Sequence, residues 1–323
     1  MEQGLEPADV GLVTTPWYHD VTTVAWVYPH LQVGETLILQ SQFDPEWTLS
    51  LLEAHDATRI LAVPAQLEAL LRARNAGSYD LSTLSAVRTG GAVVSPSLVE
   101  RLRESMTEGV HNTYDLTEAI PNITYAYPDE QIENPGTVGH ASFNWEVRVV
   151  EAVRVDERPD PEATVERGSS GELLGRGPFA DGYLDNPAKE ARVFVGEWLR
   201  TMDVARIDEN GGLHIVDRVD NMLISGGENV YPQEVELVLE EHPDVDSAAV
   251  VGVPDERWGE KVVAVVAGDG VTEAELKTYC IEHTHLASFK RPREYVVTND
   301  ALPRTDTGTL KWAAIRETYF DRR

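Results

Sequence analysis

The spacing of apolar residues changes twice along this chain, and that restricts the possible folds more than any single motif. From residue 11 to about residue 136, short apolar runs alternate with amphipathic stretches. Asp44-Pro45-Glu46 opens one such stretch, with Asp44 suited to cap a helix and Pro45 to its first turn. Arg59–Val63 reads as a strand stopped by Pro64, and Gln66–Arg74 as a helix. Ser85–Thr89 reads as a strand ending in Gly90-Gly91, and Ser97–Met106 as a further helix. Residues 11–40 mix apolar runs such as Thr36-Leu-Ile-Leu with turn residues and receive no firm element. Alternating strands and helices predict α/β layers. Between 137 and 217 the segments shorten (Glu146–Val150, Gly171–Leu174, Gly212–Val216) and are separated by Gly, Pro and Asp, which predicts a mostly β region. After residue 219 the pattern predicts a glycine loop running into a helix from Pro232. Strands over 248–253 and 261–267, a helix over 273–282 and a strand over 295–298 complete a compact α+β unit. The expected fold class is α/β, with a large domain over 1–218 (α/β layers to about 136, β-rich over 137–218). A small α+β domain over 219–323 follows.

Composition narrows the partners. Asp and Glu number 55 against 27 Lys and Arg, a net charge of −28, of which −19 lies in residues 1–218 and −9 in 219–323. A surface acidic along its whole length repels nucleic acid and anionic membrane, so neither is an expected partner. Only five of the basic residues are lysines, at 189, 261, 277, 290 and 311. Acid-rich, lysine-poor composition resembles that of proteins from salt-adapted organisms, whose carboxylates stay hydrated while salt screens their repulsion, with an ordinary acidic protein as the alternative. Cys280 is the sole cysteine, which excludes a disulfide within the chain and a cysteine-based zinc site. No apolar run reaches membrane-spanning length, and Met1-Glu2-Gln3 opens no signal peptide, so a cytoplasmic protein is expected.

Five segments carry possible chemistry, each beside a plainer reading. Thr89-Gly90-Gly91-Ala92 could let a flat ligand lie against backbone, or could be a tight turn. The stretch His111-Asn112-Thr113-Tyr114-Asp115-Leu-Thr117-Glu118 offers an aromatic plate, a hydroxyl and a carboxylate for a base, a phosphate and a divalent cation. A surface loop is its alternative. In Trp198–Asp203 and Asp217–Asn221, a carboxylate can take both ribose hydroxyls and an arginine can add a charge-assisted bond, or both can pair on the surface. Ser225-Gly226-Gly227-Glu228-Asn229 before Pro232 suits an anion or backbone contact at a helix start, but lacks the lysine of a P-loop. Lys290, Arg291 and Arg293 focus positive charge in an acidic chain, or neutralise neighbouring carboxylates. Two leads are set aside. A strand pattern follows Gly168-Ser-Ser-Gly171, and His283-Thr-His285 has no third metal ligand nearby.

The order and spacing of these pieces resemble the adenylate-forming acyl-CoA synthetase superfamily, the AMP-binding ligases, from about residue 10 to the end. The matching pieces are Gly90-Gly91-Ala92, Tyr114-x-x-Thr117-Glu118, Gly171-Glu-Leu and Leu199-Arg-Thr-x-Asp203. Arg218-x-Asp220, Ser225-Gly-Gly-Glu-Asn-Val-Tyr-Pro232 and Leu302-Pro-Arg-Thr-x-Thr-Gly308 follow in order. The resemblance implies a two-step reaction: a carboxylic acid, of the fatty or aryl class, and ATP form acyl-AMP and pyrophosphate, and coenzyme A then displaces AMP. It implies that Gly90, Gly91, Ala92, Asn112, Thr113 and Tyr114 frame the adenine. Thr117 would touch the AMP phosphate, Glu118 would bind Mg²⁺, and Asp203 would hold the ribose with Arg218 beside it. Asp220 would be the hinge, Gly226 and Gly227 would line the pantetheine path, Lys290 and Arg291 would meet CoA phosphates, and His19 would lie near the acyl pocket.

The chain also departs from the family pattern. By that resemblance, the counterpart of the family's phosphate loop would lie upstream of residue 10. Where the family has Thr-Gly-Lys, Thr307-Gly308-Thr309 puts a threonine at the lysine's place, and Lys311 is the candidate substitute. Two residues along an extended segment restore the same side. Asp115, Met202 and Asp217 replace glycines, and Asn221 replaces a common Asp. Three expectations stand side by side: an acyl-CoA ligase, a non-catalytic module that binds nucleotide or CoA, and one half of a split ligase completed by an N-terminal partner polypeptide.

Overall fold

The computed structural model describes residues 4–119, 122–284, 286–304 and 310–320, apart from the side chain of Ala76. The chain divides into two units, Met1–Ile215 and Val216–Arg323.

The first unit holds a seven-stranded sheet. Its strands are β1 (Val10–Val13), β2 (Thr36–Leu39), β3 (Arg59–Leu61), β4 (Ala86–Gly90), β5 (Val110–Tyr114), β6 (Thr124–Ala126) and β7 (His140–Ala141), in the order β2-β1-β3-β4-β5-β6-β7. Pairs from β2 to β5 are parallel, and β6 and β7 add antiparallel. Parallel pairing brings Leu61, Gly90 and Tyr114 to one edge, the carboxyl edge at which open α/β sheets bind ligands. Helices start where the local chemistry says they should. Asp44 accepts from the Trp47 amide at 2.8 Å ahead of helix Pro45–Ala54, and Ser95 accepts from Leu98 at 3.2 Å ahead of Pro96–Ser105. Their apolar stripes (Leu49, Leu52, Leu98, Leu102) close over Leu12, Ile60, Val87 and Val110 of the strands. Gly109 is dictated by the register: a Cβ there would stand 1.9 Å from the Ser85 carbonyl oxygen.

Two regions differ from the sequence reading. The runs at 10–13 and 36–39 are strands, and residues 20–33 form a helical segment with a π-helical turn at Thr23–Val27. That segment is rich in β-branched residues and weak in helix propensity. The burial of Trp26 and Val27 against Val13 and Leu61 outweighs that preference. Residues 110–114 are not a surface loop but strand β5, with Asn112 and Thr113 each 1% exposed.

A second, antiparallel sheet follows, made of β8 (Glu146–Val150), β9 (Ser170–Arg176), β10 (Phe194–Val195) and β11 (Trp198–Ile207), ordered β10-β11-β9-β8. β12 (Leu213–Arg218) pairs with β11. Within it the fully buried Arg200 guanidinium forks onto Glu172 and also donates to the Val155 and Glu157 carbonyls. The β9–β11 register shifts between Arg200 and Val204, and inside that bulge Met202 takes a φ of +63°.

The second unit is a sheet of β13 (Leu223–Ser225), β14 (Glu228–Val230), β15 (Ser247–Asp255), β16 (Gly259–Ala267) and β17 (Glu294–Thr298), ordered β14-β13-β16-β15 with β17 parallel to β16. Helices Pro232–Glu240 and Glu273–Glu282 cover it through Val235, Leu239, Leu276 and Cys280. Gly226 and Gly227 do not run into a helix, as the sequence suggested. They are the two-residue turn between β13 and β14, with φ of +64° and +88°, the conformation a tight hairpin needs. The helix does begin at Pro232, as expected, but β14 and Tyr231 separate it from the glycines. Among the described residues, no helix is long and apolar enough to cross a membrane.

Candidate nucleotide site

In the first unit the site grows from the carboxyl ends of β4 and β5. The place of a Cβ on Gly90 is taken by the Thr113 carbonyl at 2.5 Å, so this glycine answers to the neighbouring strand. Gly91 has φ +75° and only Val63 within 4 Å, at 3.9 Å, so its face is open. Ala92 is exposed beside it. The Asn112 amide donates to the Thr137 carbonyl at 2.9 Å while its Oδ1 is buried without a hydrogen bond, and the Thr113 hydroxyl donates to Thr89 at 3.2 Å. These side chains hold β4, β5 and residue 137 together.

Tyr114, the last residue of β5, donates its phenol to Asp203 Oδ2 on β11, and both are buried. That bond ties the end of the parallel sheet to the antiparallel one. After β5 the chain makes a 3-10 turn, Thr117–Ala119, which presents two more predicted residues. The Thr117 hydroxyl lies 3.4 Å from Asp20 Oδ1, and Asp20 follows His19, the exposed cap of the 20–22 helix. Glu118 Oε1 accepts from the Tyr183 phenol and lies 3.4 Å from Lys189 Nζ. Burial pushes this carboxyl up, but the Tyr183 and Lys189 contacts outweigh it and hold it below the ordinary carboxylate value. Asp115 goes the other way. Burial, with the Asp20 charge adding to it, raises its carboxyl to about 6 against the opposing pull of Arg88. Arg88 itself is buried and donates to the Ala25 carbonyl and to Asn122.

The donor chemistry suits a magnesium ion carried by nucleotide phosphates. Mg²⁺ commonly takes one or two protein carboxylates and completes its shell with phosphate and water, and the partly exposed Glu118 carboxylate offers hard oxygen donors of that kind. No cluster of three or more His, Cys, Asp or Glu able to hold a metal occurs among the described residues. His283 instead pairs with Glu241 at 3.1 Å, and His285 lies outside the described residues.

The second unit carries the remaining predicted residues. Arg218 Nε is 2.9 Å from Asp220 Oδ1. Asp217 accepts from the Gln233 amide at 2.8 Å and from Asn221 at 2.9 Å, so it anchors the start of helix 232–240. Lys290 Nζ sits 2.8 and 2.6 Å from the two Glu234 oxygens, and Arg291 donates to the Leu286 carbonyl. Arg293 stacks 3.7 Å above the Trp258 ring. Lys311 is exposed, with its amide 2.9 Å from the Pro303 carbonyl, and caps helix Trp312–Tyr319. Residues 305–309, including Thr309 and most of the last family motif, lie outside the described residues.

Sequence reasoning missed Asp20, Arg88, Tyr183 and Lys189. The last two approach Glu118 across 65 and 71 residues, and no local pattern marks such a meeting.

The sequence and the fold both match known proteins. The family of AMP-binding enzymes matches residues 1–184, and the AMP-binding enzyme C-terminal domain matches residues 234–309. A feruloyl-CoA synthase of an Amycolatopsis species is 35% identical over 323 residues, which covers 99% of this chain and 63% of that protein. An indoleacetate–CoA ligase of Aromatoleum aromaticum is 35% identical over 310 residues, covering 95% of this chain and 58% of that protein. The structure of o-succinylbenzoate CoA synthetase from Bacillus subtilis, in complex with its acyl-adenylate intermediate, superposes with a TM-score of 0.84 at 29% identity. It covers 98% of this chain and 62% of that one. The chain thus spans about three-fifths of the length of these relatives.

Proposed function

The chain belongs to the family of AMP-binding enzymes, and from that premise we propose that it acts in AMP-forming acyl-CoA synthesis. A carboxylate attacks the α-phosphorus of ATP, releasing pyrophosphate, and the CoA thiol then displaces AMP from the acyl-adenylate. The observation that carries this reading is the Tyr114–Asp203 bond, which joins residues 89 apart at the sheet's carboxyl edge, with Thr117 and Glu118 in the next turn.

In this reading Gly91 and Ala92 offer the open face to adenine. Gly90, Asn112 and Thr113 hold that face's backbone, and Tyr114 places Asp203 for the ribose hydroxyls. Thr117 contacts the α-phosphate. Glu118 would hold Mg²⁺, whose charge would offset that of the phosphates. His19 stands toward the acid. In the second unit, Arg218 supports the ribose. Asp220 is the pivot between a large part, residues 1–218, and a lid, 219–323. Gly226 and Gly227 flank the pantetheine, Lys290 and Arg291 meet CoA phosphates, and Lys311 serves the adenylation step. The relatives named above act on feruloyl, indoleacetyl and succinylbenzoyl groups, which favours an aryl acid over a long-chain fatty acid.

The test is pyrophosphate release from ATP with a panel of aryl and alkyl acids, alongside AMP titration by calorimetry. Asp203→Asn should weaken AMP binding about 10- to 100-fold, the worth of a charged hydrogen bond at about 1.5–3 kcal/mol. AMP affinity unchanged in that variant would refute the site. Lys311→Ala should abolish adenylation and spare thioester formation from supplied acyl-AMP; intact adenylation would remove Lys311 from the mechanism. The threonine at position 309 favours a second reading, a module that binds nucleotide without turnover. AMP binding without pyrophosphate release with any acid would select it.

A further inference from the structure

We propose that the Lys189 ammonium stands in for a divalent cation on Glu118, so that Mg²⁺ arriving with ATP must displace it. This rests on the reading of Glu118 as the metal carboxylate. Lys189 Nζ lies 3.4 Å from Glu118 Oε1, the same oxygen that accepts the Tyr183 phenol. It also sits 4.0 Å from the centroid of the Tyr183 ring, so the three side chains close a triangle of ion pair, hydrogen bond and cation–π contact.

The backbone holds that triangle in place. The Ala180 amide donates to the Glu118 carbonyl at 2.8 Å, which pins the 3-10 turn to the segment leading to Tyr183. Asn186 accepts from the Lys189 amide at 3.1 Å and fixes the first turn of helix Pro187–Val193. Residue type matters too. Lys189 is the only lysine in the first 260 residues, where arginine otherwise supplies the positive charge. An ammonium is a compact, strongly hydrated point charge on a flexible stem, closer to a metal ion than a planar guanidinium is.

Exposure makes the arrangement reversible. Glu118 is 23% exposed and its carboxylate gains from a nearby cation, whereas Lys189 is 44% exposed and can swing into water. Two cations cannot both sit on one carboxylate oxygen without mutual repulsion. Lys189 therefore supports ATP binding when metal is absent and opposes the added gain when metal enters.

The experiment is calorimetric titration of the full chain with ATP, once in excess Mg²⁺ and once in EDTA, read as the ratio of the two Kd values. Lys189→Met should raise the Mg²⁺ gain about fivefold over the parent protein, as removal of an exposed charge pair of about 1 kcal/mol would do. Lys189→Arg keeps the charge but not the compact ammonium and should give a ratio between those of the parent and Lys189→Met, and Glu118→Gln should bring the ratio close to one. An unchanged ratio in Lys189→Met, with the ratio still lost in Glu118→Gln, would overturn the role of Lys189 and leave the proposed function standing. A ratio indifferent to Glu118→Gln, or no ATP binding in any variant, would overturn the reading beneath it as well.

Discussion

Met202, which the resemblance sets at a glycine position, has a φ of +63°, the left-handed conformation that favours glycine. An L-residue there costs on the order of 1–2 kcal/mol, and a β-branched one costs more. Met202→Gly should hold or raise stability, whereas Met202→Val should lower it by about 1–2 kcal/mol, read from urea midpoints. A second residue-scale expectation concerns Glu35, fully buried beside His30 with neither carboxylate oxygen hydrogen-bonded. Burial raises its carboxyl to about 7 and lowers the His30 imidazole to about 4. The native state therefore keeps the Glu35 proton across a window in which the unfolded chain has released it. This stabilises at low pH and is lost as pH rises through about 7. Glu35→Gln should be more stable than the parent above pH 8, on the order of 1–3 kcal/mol, with the gap closing toward pH 5. Equal thermal midpoints at both pH values would contradict that assignment.

At the scale of elements, the antiparallel sheet buries one ion pair between two of its strands. Arg200 and Glu172 are fully buried and meet between β9 and β11, where Arg200 pairs in register with Leu174 and Glu172 with Val204. Their net worth as a pair is small, but removing one partner strands a buried charge. Glu172→Ala should cost about 3–5 kcal/mol, and the paired replacement of both residues by apolar ones should recover much of it; chemical denaturation measures both. The helix that Asp44 caps ahead of Pro45 was legible in the sequence, because its signal sits within four residues. The strands at 10–13 and 36–39 were not. They are four residues long and too short to show the alternation of a longer half-buried strand. The hairpin at Gly226-Gly227 was mistaken for a helix lead-in because only three residues of strand separate the turn from the segment before Pro232.

For the whole molecule the governing quantity is charge. A net −28 over 323 residues destabilises any compact state by self-repulsion, and salt screens that repulsion. Raising KCl from 0.1 M to roughly 2 M should increase the melting temperature, because the Debye length falls from about 10 Å to less than 3 Å. A flat or falling midpoint would remove charge repulsion as a factor. The second unit has cores of its own, around Val250, Val262 and Leu276 and around Ala249, Val265 and Ile315. A fragment of residues 216–323 should therefore unfold cooperatively by itself in differential scanning calorimetry. A broad, non-cooperative trace would show that it depends on the rest of the chain.

Composition, apolar period, caps and the ordered motifs were enough to place the fold class and the family, because each is written in neighbouring residues or in their order. The meeting of Tyr114 with Asp203, of Lys189 and Tyr183 with Glu118, and the strained turn at Met202 were not written there. They arise where two sheets and a later helix converge, and contacts across 65 to 89 residues depend on register and packing that no local pattern encodes.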